Sequence, residues 1–338
     1  MQSQTRRHTT EGKSFVVPPS LALSVSGCEK YCKDTTFSPF RKTIRMQTAL
    51  GCHYNTIIHL IKFQSMQQYN AAPLPFQGQK RNFLRIYRDL LATLPDDAIF
   101  VDLFGGSGLL AHTTRVAKPN ATVVYNDYDN YRQRIAAIPT TNALLARIRP
   151  LVANVARHAR IPDETRLIIL DILQQADKQG YVDYITLSSS LLFSSKYATS
   201  LDGFVREQLY NNVRRSDYSA EGYLDGIEIA SVDYRELFEL YKDNPRAIFL
   251  LDPPYLSTDT TTYNMSWSLS DYLDVLTLLN GHRFVYFTSS KSQIFELCDW
   301  LGRNPSLGNP FVDAVRHEHV VALNYTAGYT DIMLAKVS

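Results

Sequence analysis

Residues 98–108 read AIFVDLFGGSG, and this stretch decides the fold class. The apolar run AIFVDLF is typical of a buried strand, because short apolar runs bounded by turn residues often lie inside a sheet. The glycines of GGSG permit a sharp turn and let the backbone approach a ligand closely. A helical pattern follows directly. A strand that turns through glycines into a helix predicts the first part of a parallel sheet covered by helices.

The same alternation of strands and helices continues along the chain. Further strands are predicted at 121–127, 227–233, 247–254 and 283–289, and helices at 234–242, 268–280 and 292–301. Two extended runs, 319–325 and 330–337, flank turn-forming residues and predict a hairpin. The predicted fold class is therefore α/β, with a mostly parallel sheet covered on both faces and a C-terminal antiparallel hairpin.

The patterns also divide the chain into regions. Residues 131–226 interrupt the alternation and predict an inserted, mainly helical subdomain. Residues 66–130 and 227–338 then form the domain that contains the sheet. Residues 1–65 lack sustained periodicity and carry nine Lys and Arg against three Asp and Glu, so we expect a flexible basic extension. Met66 stands just before the first strongly patterned segment and is a candidate natural start.

Composition excludes several classes of protein. A hydrophobic content of 45% and a charged content of 20% are typical of a soluble globular chain, and no apolar run reaches the length of a membrane span. Four cysteines in 338 residues are too few and too scattered for a disulfide framework. Cys28, Cys32, Cys52 and His53 leave a zinc site open, but tight CxxC pairs are missing and no metal is expected.

Four predicted strands end in an aspartate: Asp102, Asp127, Asp233 and Asp252. In open α/β sheets, ligands bind beyond the carboxyl ends of the strands. A single aspartate at such a position often caps the next helix. Four of them at one edge of one sheet favour a shared ligand site.

The glycine turn narrows the class of ligand. DLFGGSG (102–108) lacks the full GxGxxG spacing of dinucleotide-binding loops and the Gly-Lys-Ser/Thr of Walker loops. Asp127, at the end of the second strand, can accept both hydroxyls of a ribose. A nucleoside without a pyrophosphate fits these features better than NAD does, and S-adenosylmethionine is such a ligand.

Four motifs occur in a fixed order: PFQGQK (75–80), DLFGGSG (102–108), NDYD (126–129) and DPPY (252–255). In these motifs the chain resembles the alpha group of adenine-specific DNA methyltransferases, the Dam type, over residues 74–338. The resemblance implies a Rossmann-like, S-adenosylmethionine-dependent methyltransferase fold. It also implies methyl transfer to the N6 amine of an adenine that is flipped out of the duplex, with residues 131–226 recognising the target.

The resemblance assigns roles to individual residues. The expected catalytic residues are Asp252, Pro253, Pro254 and Tyr255. The residues expected to bind S-adenosylmethionine are Phe76, Gly78, Lys80, Asp102, Phe104, Gly105, Gly106, Ser107, Gly108, Asp127, Asp233 and Asp252. Lys80 is the expected partner of the cofactor carboxylate. Asp233 is equally suited to capping the helix that follows it.

These residue types suit the chemistry without the resemblance. An adenine amine is a poor nucleophile because its lone pair is delocalised into the ring. The Asp252 carboxylate and the Pro253 carbonyl can accept its two hydrogens and free the lone pair, and the rigid Pro-Pro unit fixes the direction of that carbonyl. Tyr255 can stack on the base. The methyl donor already carries a sulfonium leaving group, so the reaction needs no metal.

Arginines in residues 131–226 are candidate contacts to DNA. Those singled out are Arg132, Arg134, Arg206, Arg214 and Arg215, which can bind phosphates or a guanine edge. Residues 131–160 hold six arginines and no acid, a pattern that indicates either a phosphate-facing stripe or a solvated helix face. Tyr210, Tyr218 and Tyr223 can fill the gap left by a flipped base or pack in the core. No clean copy of the target-recognition pattern of GATC-reading enzymes occurs, so the target sequence stays open.

Partners and setting follow from the resemblance. Double-stranded DNA is the expected partner, a cognate restriction endonuclease is a further one, and a monomer on DNA is compatible with both. The expected setting is the bacterial or phage-infected cytoplasm, at the nucleoid and not at a membrane.

Other functions stay open. They are an amino-methyltransferase acting on RNA adenine or on cytosine N4, a glutamine methyltransferase acting on protein, and a catalytically silent DNA-binding relative. Cytosine N4 enzymes more often carry Ser in place of Asp252, and glutamine methyltransferases usually carry Asn there. An intact DPPY tetrad (252–255) and an intact glycine turn disfavour a catalytically silent relative.

Overall fold

The computed structural model describes residues 67–193, 196–254, 267–290, 292, 294–304, 308–322 and 328–337. Several predictions fall outside these residues. They concern the flexible extension 1–65, the start at Met66, the zinc candidates Cys28, Cys32, Cys52 and His53, and the fourth tetrad residue, Tyr255.

The described strands form one seven-stranded sheet with the order β3-β2-β1-β4-β5-β7-β6. Its strands are β1 (Ile99–Asp102), β2 (Thr122–Asn126), β3 (Glu228–Ala230), β4 (Ala247–Leu251), β5 (Phe284–Ser289), β6 (Val315–Ala322) and β7 (Gly328–Lys336). The first five run parallel to one another, whereas β7 pairs antiparallel with both β5 and β6. The predicted α/β fold, with a mostly parallel sheet and a C-terminal antiparallel hairpin, is confirmed.

Two strand boundaries differ from the prediction for physical reasons. The strand predicted at 227–233 ends at Ala230, because the side chain of Asn126 binds the N–H and C=O of Val232 in place of a neighbouring strand. Strand β6 begins at Val315 and not at residue 319, because it lies at the edge of the sheet. An edge strand can carry polar side chains along its length, and these hid its first residues from the apolar pattern.

The sheet is covered by helices on both faces. The helices of the described chain are α1 (Leu84–Ala92), α2 (Leu109–Ala117), α3 (Tyr131–Ala136), α4 (Ile138–Leu151), α5 (Asp163–Asp177), α6 (Tyr184–Leu191), α7 (Leu201–Arg206), α8 (Tyr234–Tyr241), α9 (Leu269–Leu279) and α10 (Ile294–Gly302). On one face, Val101 and Phe249 pack with side chains of α8, α9 and α10. On the other face, Phe100, Ile248 and Leu250 pack with side chains of α1 and α2. Strands buried on both faces read as continuous apolar runs, as β1 and β4 do.

The chain between β2 and β3 is mainly helical and contains α3 to α7. Its buried apolar side chains join one cluster with Leu74, Leu84 and Leu109. These three residues lie before α1, in α1 and in α2, so residues 131–226 share a core with the elements that flank β1. None of the helices in the described chain combines the length and the apolar character that a membrane span requires.

Arg134 is a structural residue, which corrects its prediction as a DNA contact. Its side chain is buried, with only 4% of its surface exposed. The guanidinium donates to the carboxylate of Asp183 at 3.1 Å, to the Pro75 carbonyl at 2.7 Å and to the Thr186 hydroxyl at 3.0 Å. These bonds join α3 to the N-terminus of α6 and to the segment before α1. An arginine committed to buried partners cannot reach a phosphate.

We therefore expect Arg134→Ala to lower the free energy of unfolding by about 3–5 kcal/mol, because it leaves the Asp183 carboxylate buried and unpaired. Denaturant unfolding monitored by circular dichroism measures this. The matched control is Arg132→Ala on the same short helix, where the arginine is exposed and its guanidinium has no partner within the described chain. An equal effect of the two substitutions would contradict the assignment.

Candidate functional site

A cavity of about 490 Å³ opens beyond the carboxyl ends of the parallel strands. Its walls come from the segment before α1, the turns after β1, β2 and β4, the first residue of α8, and the ends of β5, β6 and β7. The lining residues are Phe76, Gln77, Gly78, Gln79, Lys80, Arg81, Asn82, Leu103, Phe104, Gly105, Gly106, Asn126, Tyr128, Asp129, Tyr234, Asp252, Pro253, Pro254, Ser289, Val321, Tyr329 and Asp331.

The cavity brings together many of the residues singled out in the sequence. Phe76, Gly78, Lys80, Phe104, Gly105, Gly106, Asp252, Pro253 and Pro254 line it. Asp102, Ser107, Gly108, Asp127 and Asp233 lie in the adjoining elements and not in its lining. Arg132, Arg206, Arg214 and Arg215 are exposed elsewhere on the surface, with the Arg214 guanidinium 4.6 Å from the centre of the Tyr218 ring.

The turn after β1 requires its glycines. Gly106 has φ +50° and Gly108 has φ +71°, conformations that residues with a side chain rarely adopt. A Cβ at Gly105 would lie 2.2 Å from the ring of Tyr125, and a Cβ at Gly106 would lie 3.0 Å from the ring of Phe76. The backbone of the turn therefore packs directly on the rings of Tyr125 and Phe76, and Gly105 and Gly106 line the cavity.

Two buried tyrosines hold this turn from below. The Tyr125 hydroxyl donates to the Gly106 carbonyl at 2.8 Å, and the Tyr223 hydroxyl donates to the Ser107 carbonyl at 3.0 Å. The Tyr223 ring stacks on His112 of α2 with ring centres 4.7 Å apart. Tyr223 is buried in this position, so its alternative role of filling the gap left by a flipped base is wrong and its packing role is confirmed.

Asp102 is a buried acid whose carboxylate lacks a hydrogen-bond partner within the described chain. It ends β1 with 1% of its surface exposed, and neither carboxylate oxygen has a partner of hydrogen-bonding geometry among the described residues. Burial, and secondarily the negative charge of Asp252, raise its pKa to about 8, which the nearby Phe104 N–H opposes only in part. A buried carboxyl group left in this state is costly in a purely structural role. It fits a site completed by a ligand that brings a hydrogen-bond donor or a positive charge.

The two aspartates after β2 have different positions: Asp127 caps a helix, and Asp129 lines the cavity. The Asp127 carboxylate accepts from the N–H groups of Tyr131 at 2.6 Å and of Arg132 at 3.1 Å, so it caps α3. Asp129, two residues further on, lines the cavity beside Asn126. The assignment of Asp127 to a ribose stays a prediction, and Asp129 is the acid of the NDYD motif that faces the cavity.

Asp233 caps a helix and brings an aromatic side chain to the cavity. Its carboxylate accepts from the Arg235 N–H at 2.8 Å at the start of α8, which is the capping role foreseen for it. The next residue, Tyr234, lines the cavity, and its ring centre lies 4.9 Å from that of Phe104. Trp267 packs edge-on against Phe104 with ring centres 5.5 Å apart. The three rings form an aromatic wall next to the glycine turn.

Asp252 and Lys80 form an ion pair inside the cavity. The Lys80 ammonium lies 2.5 Å from Oδ2 of Asp252 and donates to the Gly78 carbonyl at 2.8 Å. Burial raises the pKa of Asp252, the Lys80 charge lowers it, and the charge of Asp331 raises it again. The lysine thus favours the ionised form of a carboxylate that its surroundings would protonate. In this structure Lys80 faces Asp252, the partner that sequence reasoning did not foresee.

The hairpin supplies a wall that sequence reasoning missed. Asp331 of β7 lies opposite Ser289 of β5, and Tyr329 lies opposite Val321 of β6; all four line the cavity. The alternation of Tyr329 and Asp331 along one strand was the available signal, since such residues point to the same face. That signal gives no indication of which other strand they approach.

The described residues hold no group of three or more His, Cys, Asp or Glu side chains that could bind a metal ion. The acids that line the cavity are instead distributed among the turn after β2, the end of β4 and the hairpin.

Comparison with known proteins identifies one informative relative. No protein-family model matches the chain. A Haemophilus influenzae protein described as "Putative methyltransferase" is 37% identical over 259 residues, which cover 73% of this chain and 86% of the relative. A crystal structure of precorrin-6y C5,15-methyltransferase from Geobacter metallireducens matches 80% of this chain and 100% of that chain, with 9% identity and a TM-score of 0.31. At that score the two backbones share too little for their sites to be compared.

The raised pKa of Asp102 makes stability depend on pH. The native protein keeps a proton that the unfolded chain releases, so the free energy of unfolding falls as pH rises from about 4 towards 8. We expect Asp102→Asn to remove this loss and to be more stable than the wild type at pH 8 by at least about 1.4 kcal/mol, the value of one pKa unit. Denaturant unfolding at several pH values tests this. Exposed Asp89→Asn is the control, and a pH-independent difference would contradict the prediction.

Lys80→Met keeps the length of the side chain and removes its charge, so we expect the pKa of Asp252 to rise further. NMR titration of ¹³C-labelled aspartate carboxyls, assigned with Asp252→Asn, measures this pKa. The control is Lys118→Met. Lys118 directly follows α2 and is another buried lysine, paired with the aspartate Asp96. An unchanged Asp252 pKa would show that the ion pair does not govern its ionisation.

Proposed function

The chain belongs to the methyltransferase family of its Haemophilus influenzae relative, and from that premise we propose that it transfers a methyl group from S-adenosylmethionine to the N6 amine of an adenine in DNA. One observation carries the proposal. Asp252, Pro253 and Pro254 leave the central strand β4 and line the same cavity as the glycine turn. The group proposed to bind the amine and the turn proposed to bind the nucleoside thus line one cavity.

S-adenosylmethionine is the usual cofactor of methyltransferases, and the residues of the cavity fit it. The Asp102 carboxyl lies below the glycine turn and outside the cavity lining, has no hydrogen-bond partner among the described residues, and provides an acceptor towards which the ammonium of the methionine part would be oriented. Asp129 offers oxygens to the ribose hydroxyls, in place of the buried Asp127. The wall formed by Phe104 and Tyr234 suits a planar adenine ring. These residues would hold the cofactor beside Asp252.

When bound, S-adenosylmethionine supplies a methyl group that is attached to a sulfonium sulfur. The leaving group is the neutral thioether that remains after methyl transfer. The chain's own residues prepare the amine. The Asp252 carboxylate and the Pro253 carbonyl accept its two hydrogens, which frees the nitrogen lone pair to form the new N–C bond. The amine loses one proton in the reaction, and Asp252, with its raised pKa, is placed to receive it. Positioning and exclusion of water account for most of the rate enhancement.

Lys80 has a defined part in this chemistry. An ionised carboxylate is a stronger acceptor for the amine hydrogen than a protonated carboxyl group, and burial works against the ionised form of Asp252. The Lys80 ammonium offsets that effect at 2.5 Å. We assign Lys80 to positioning and ionising Asp252, in place of the cofactor-carboxylate role expected from the motif alone.

Adenine in DNA is favoured as the substrate by the four-motif resemblance to Dam-type enzymes. Tyr255 would stack on the flipped base, and residues 131–226 would recognise the target, with exposed Arg132, Arg206, Arg214 and Arg215 as candidate phosphate contacts. Double-stranded DNA would be the partner, at the bacterial or phage nucleoid in the cytoplasm. A restriction endonuclease that recognises the same DNA sequence would be a further partner.

The test uses the purified full chain, S-adenosylmethionine and unmethylated genomic DNA, with RNA in parallel. The products are digested to nucleosides and analysed by mass spectrometry. We expect N6-methyladenine from DNA. Methyladenine from RNA alone would keep the chemistry and overturn the DNA substrate. Methylcytosine would overturn the base, and no methylated base from protein that binds the cofactor would overturn the proposal.

Asp252→Asn tests the catalytic assignment. We expect methyl transfer to fall by about 10²-fold or more, since the amide cannot act as a charged acceptor, while cofactor affinity falls by much less. Rates come from the nucleoside assay and affinity from calorimetry. Asp243→Asn, an exposed position after α8, is the control. Methylation by the Asp252 variant at the wild-type rate would contradict the mechanism.

A further inference from the structure

Arg81 is a second cationic residue at the cavity. It directly follows Lys80 and opens the short 3₁₀ turn Arg81–Phe83 ahead of α1. Its side chain both lines the cavity and is exposed to solvent. The guanidinium makes no hydrogen bond or ion pair with any residue of the described chain. It is therefore an available cation at the mouth of the site.

The charges of the cavity lining set Arg81 apart. Among the described lining residues, Lys80 and Arg81 carry the positive charges, whereas Asp129, Asp252 and Asp331 are acidic. Lys80 is only 7% exposed and is bound to Asp252. An anion that arrives from solvent thus meets acidic groups inside and one accessible guanidinium at the rim.

A nucleotide substrate brings such an anion. On the proposed function, on which this inference rests, the target base enters the cavity until its amine reaches Asp252. Its phosphate stays outside, because burying an uncompensated charge is costly. Arg81 is the next residue after Lys80, which itself touches Asp252, so consecutive residues of one segment reach the base site and the rim.

We propose that Arg81 binds a backbone phosphate next to the flipped adenine of DNA. A guanidinium matches the oxygens of a phosphate with two parallel hydrogen bonds. The contact holds the sugar–phosphate chain at the mouth while the base occupies the cavity. It thereby makes the site selective for a nucleotide within a strand over a free base or nucleoside.

The rival anion is the carboxylate of the cofactor. Exposure of Arg81 to solvent favours the phosphate, since the cofactor's methionine part is expected deeper, near the orphaned Asp102. Steady-state kinetics distinguishes the two possibilities. A phosphate contact changes the KM for DNA, whereas a carboxylate contact changes the KM for S-adenosylmethionine.

The test compares Arg81→Gln and Arg81→Lys with Arg85→Gln in the full-length protein. Arg85 lies one helical turn further on, is exposed, has no partner in the described chain and does not line the cavity. Initial rates of methyl transfer to unmethylated genomic DNA are measured at several salt concentrations. We expect Arg81→Gln to raise the KM for DNA about tenfold and to reduce the salt slope of kcat/KM by about one.

Arg81→Lys separates the effect of charge from that of the paired hydrogen bonds, and Arg85→Gln is the control. Arg81→Lys should keep the salt slope but not the full affinity, because a lysine retains the charge and loses the paired hydrogen bonds. Arg85→Gln should change neither by more than about twofold, within the range of ordinary surface substitutions. The KM for S-adenosylmethionine should stay unchanged in all three. Circular dichroism verifies that each variant is folded.

Several results would overturn the contact. An increase in the KM for S-adenosylmethionine alone would assign Arg81 to the cofactor. Equal effects of Arg81→Gln and Arg85→Gln on the KM for DNA would indicate a general electrostatic attraction to DNA in place of a specific phosphate contact. A wild-type protein that methylates no DNA would overturn the proposed function together with this contact, whereas an active wild type and an equally active Arg81→Gln would overturn the contact alone.

Discussion

The parallel pairing of β1 between β2 and β4 is the constraint on which the cavity depends. Asp102 lies opposite Tyr125 on one side and Leu250 on the other, so the chain leaves three strands at the same edge of the sheet. The glycine turn, the NDYD motif and Asp252 meet there although they are far apart in sequence. The strands are buried on both faces, and a slip of one residue would exchange the residues facing the two cores. The geometry of the site is therefore maintained by the packing of the sheet.

Local patterns predicted much of this arrangement and missed what depends on distant partners. Apolar runs with following turns located β1, β4 and their terminal acids, because burial of a central strand leaves a continuous signal in the sequence. Arg134 looked like its neighbour Arg132, since nothing nearby in sequence marks a pairing with Asp183, 49 residues away. Asp331 reached the cavity through an antiparallel register that only the folded hairpin reveals. Asp127 shows a third limit, because helix capping competes for the same carboxylate as a ligand.

The site concentrates groups that are unfavourable for folding. Asp102 is buried without a hydrogen-bond partner among the described residues, and burial raises the pKa of Asp252 against the opposing charge of Lys80. A sequence selected for stability alone would place apolar or neutral side chains at such positions. The surrounding core tolerates these groups because β1 and β4 are anchored on both faces by aromatic and aliphatic side chains. Their positions are thereby set in advance of any ligand, which lowers the cost of binding.

Tyr223 has a consequence for how two ligands would influence each other. Its hydroxyl holds the Ser107 carbonyl of the glycine turn, its ring stacks on His112, and its backbone carbonyl accepts from His112 Nδ1 at 2.7 Å. The tyrosine belongs to the chain between β2 and β3, so this region and the turn form one mechanical unit. A ligand that shifts one of them must shift the other, and thermodynamic linkage makes the effect reciprocal. Occupancy of the turn and engagement of a nucleic acid by residues 131–226 would then be cooperative, with Tyr223 as one of the contacts that carry the coupling free energy.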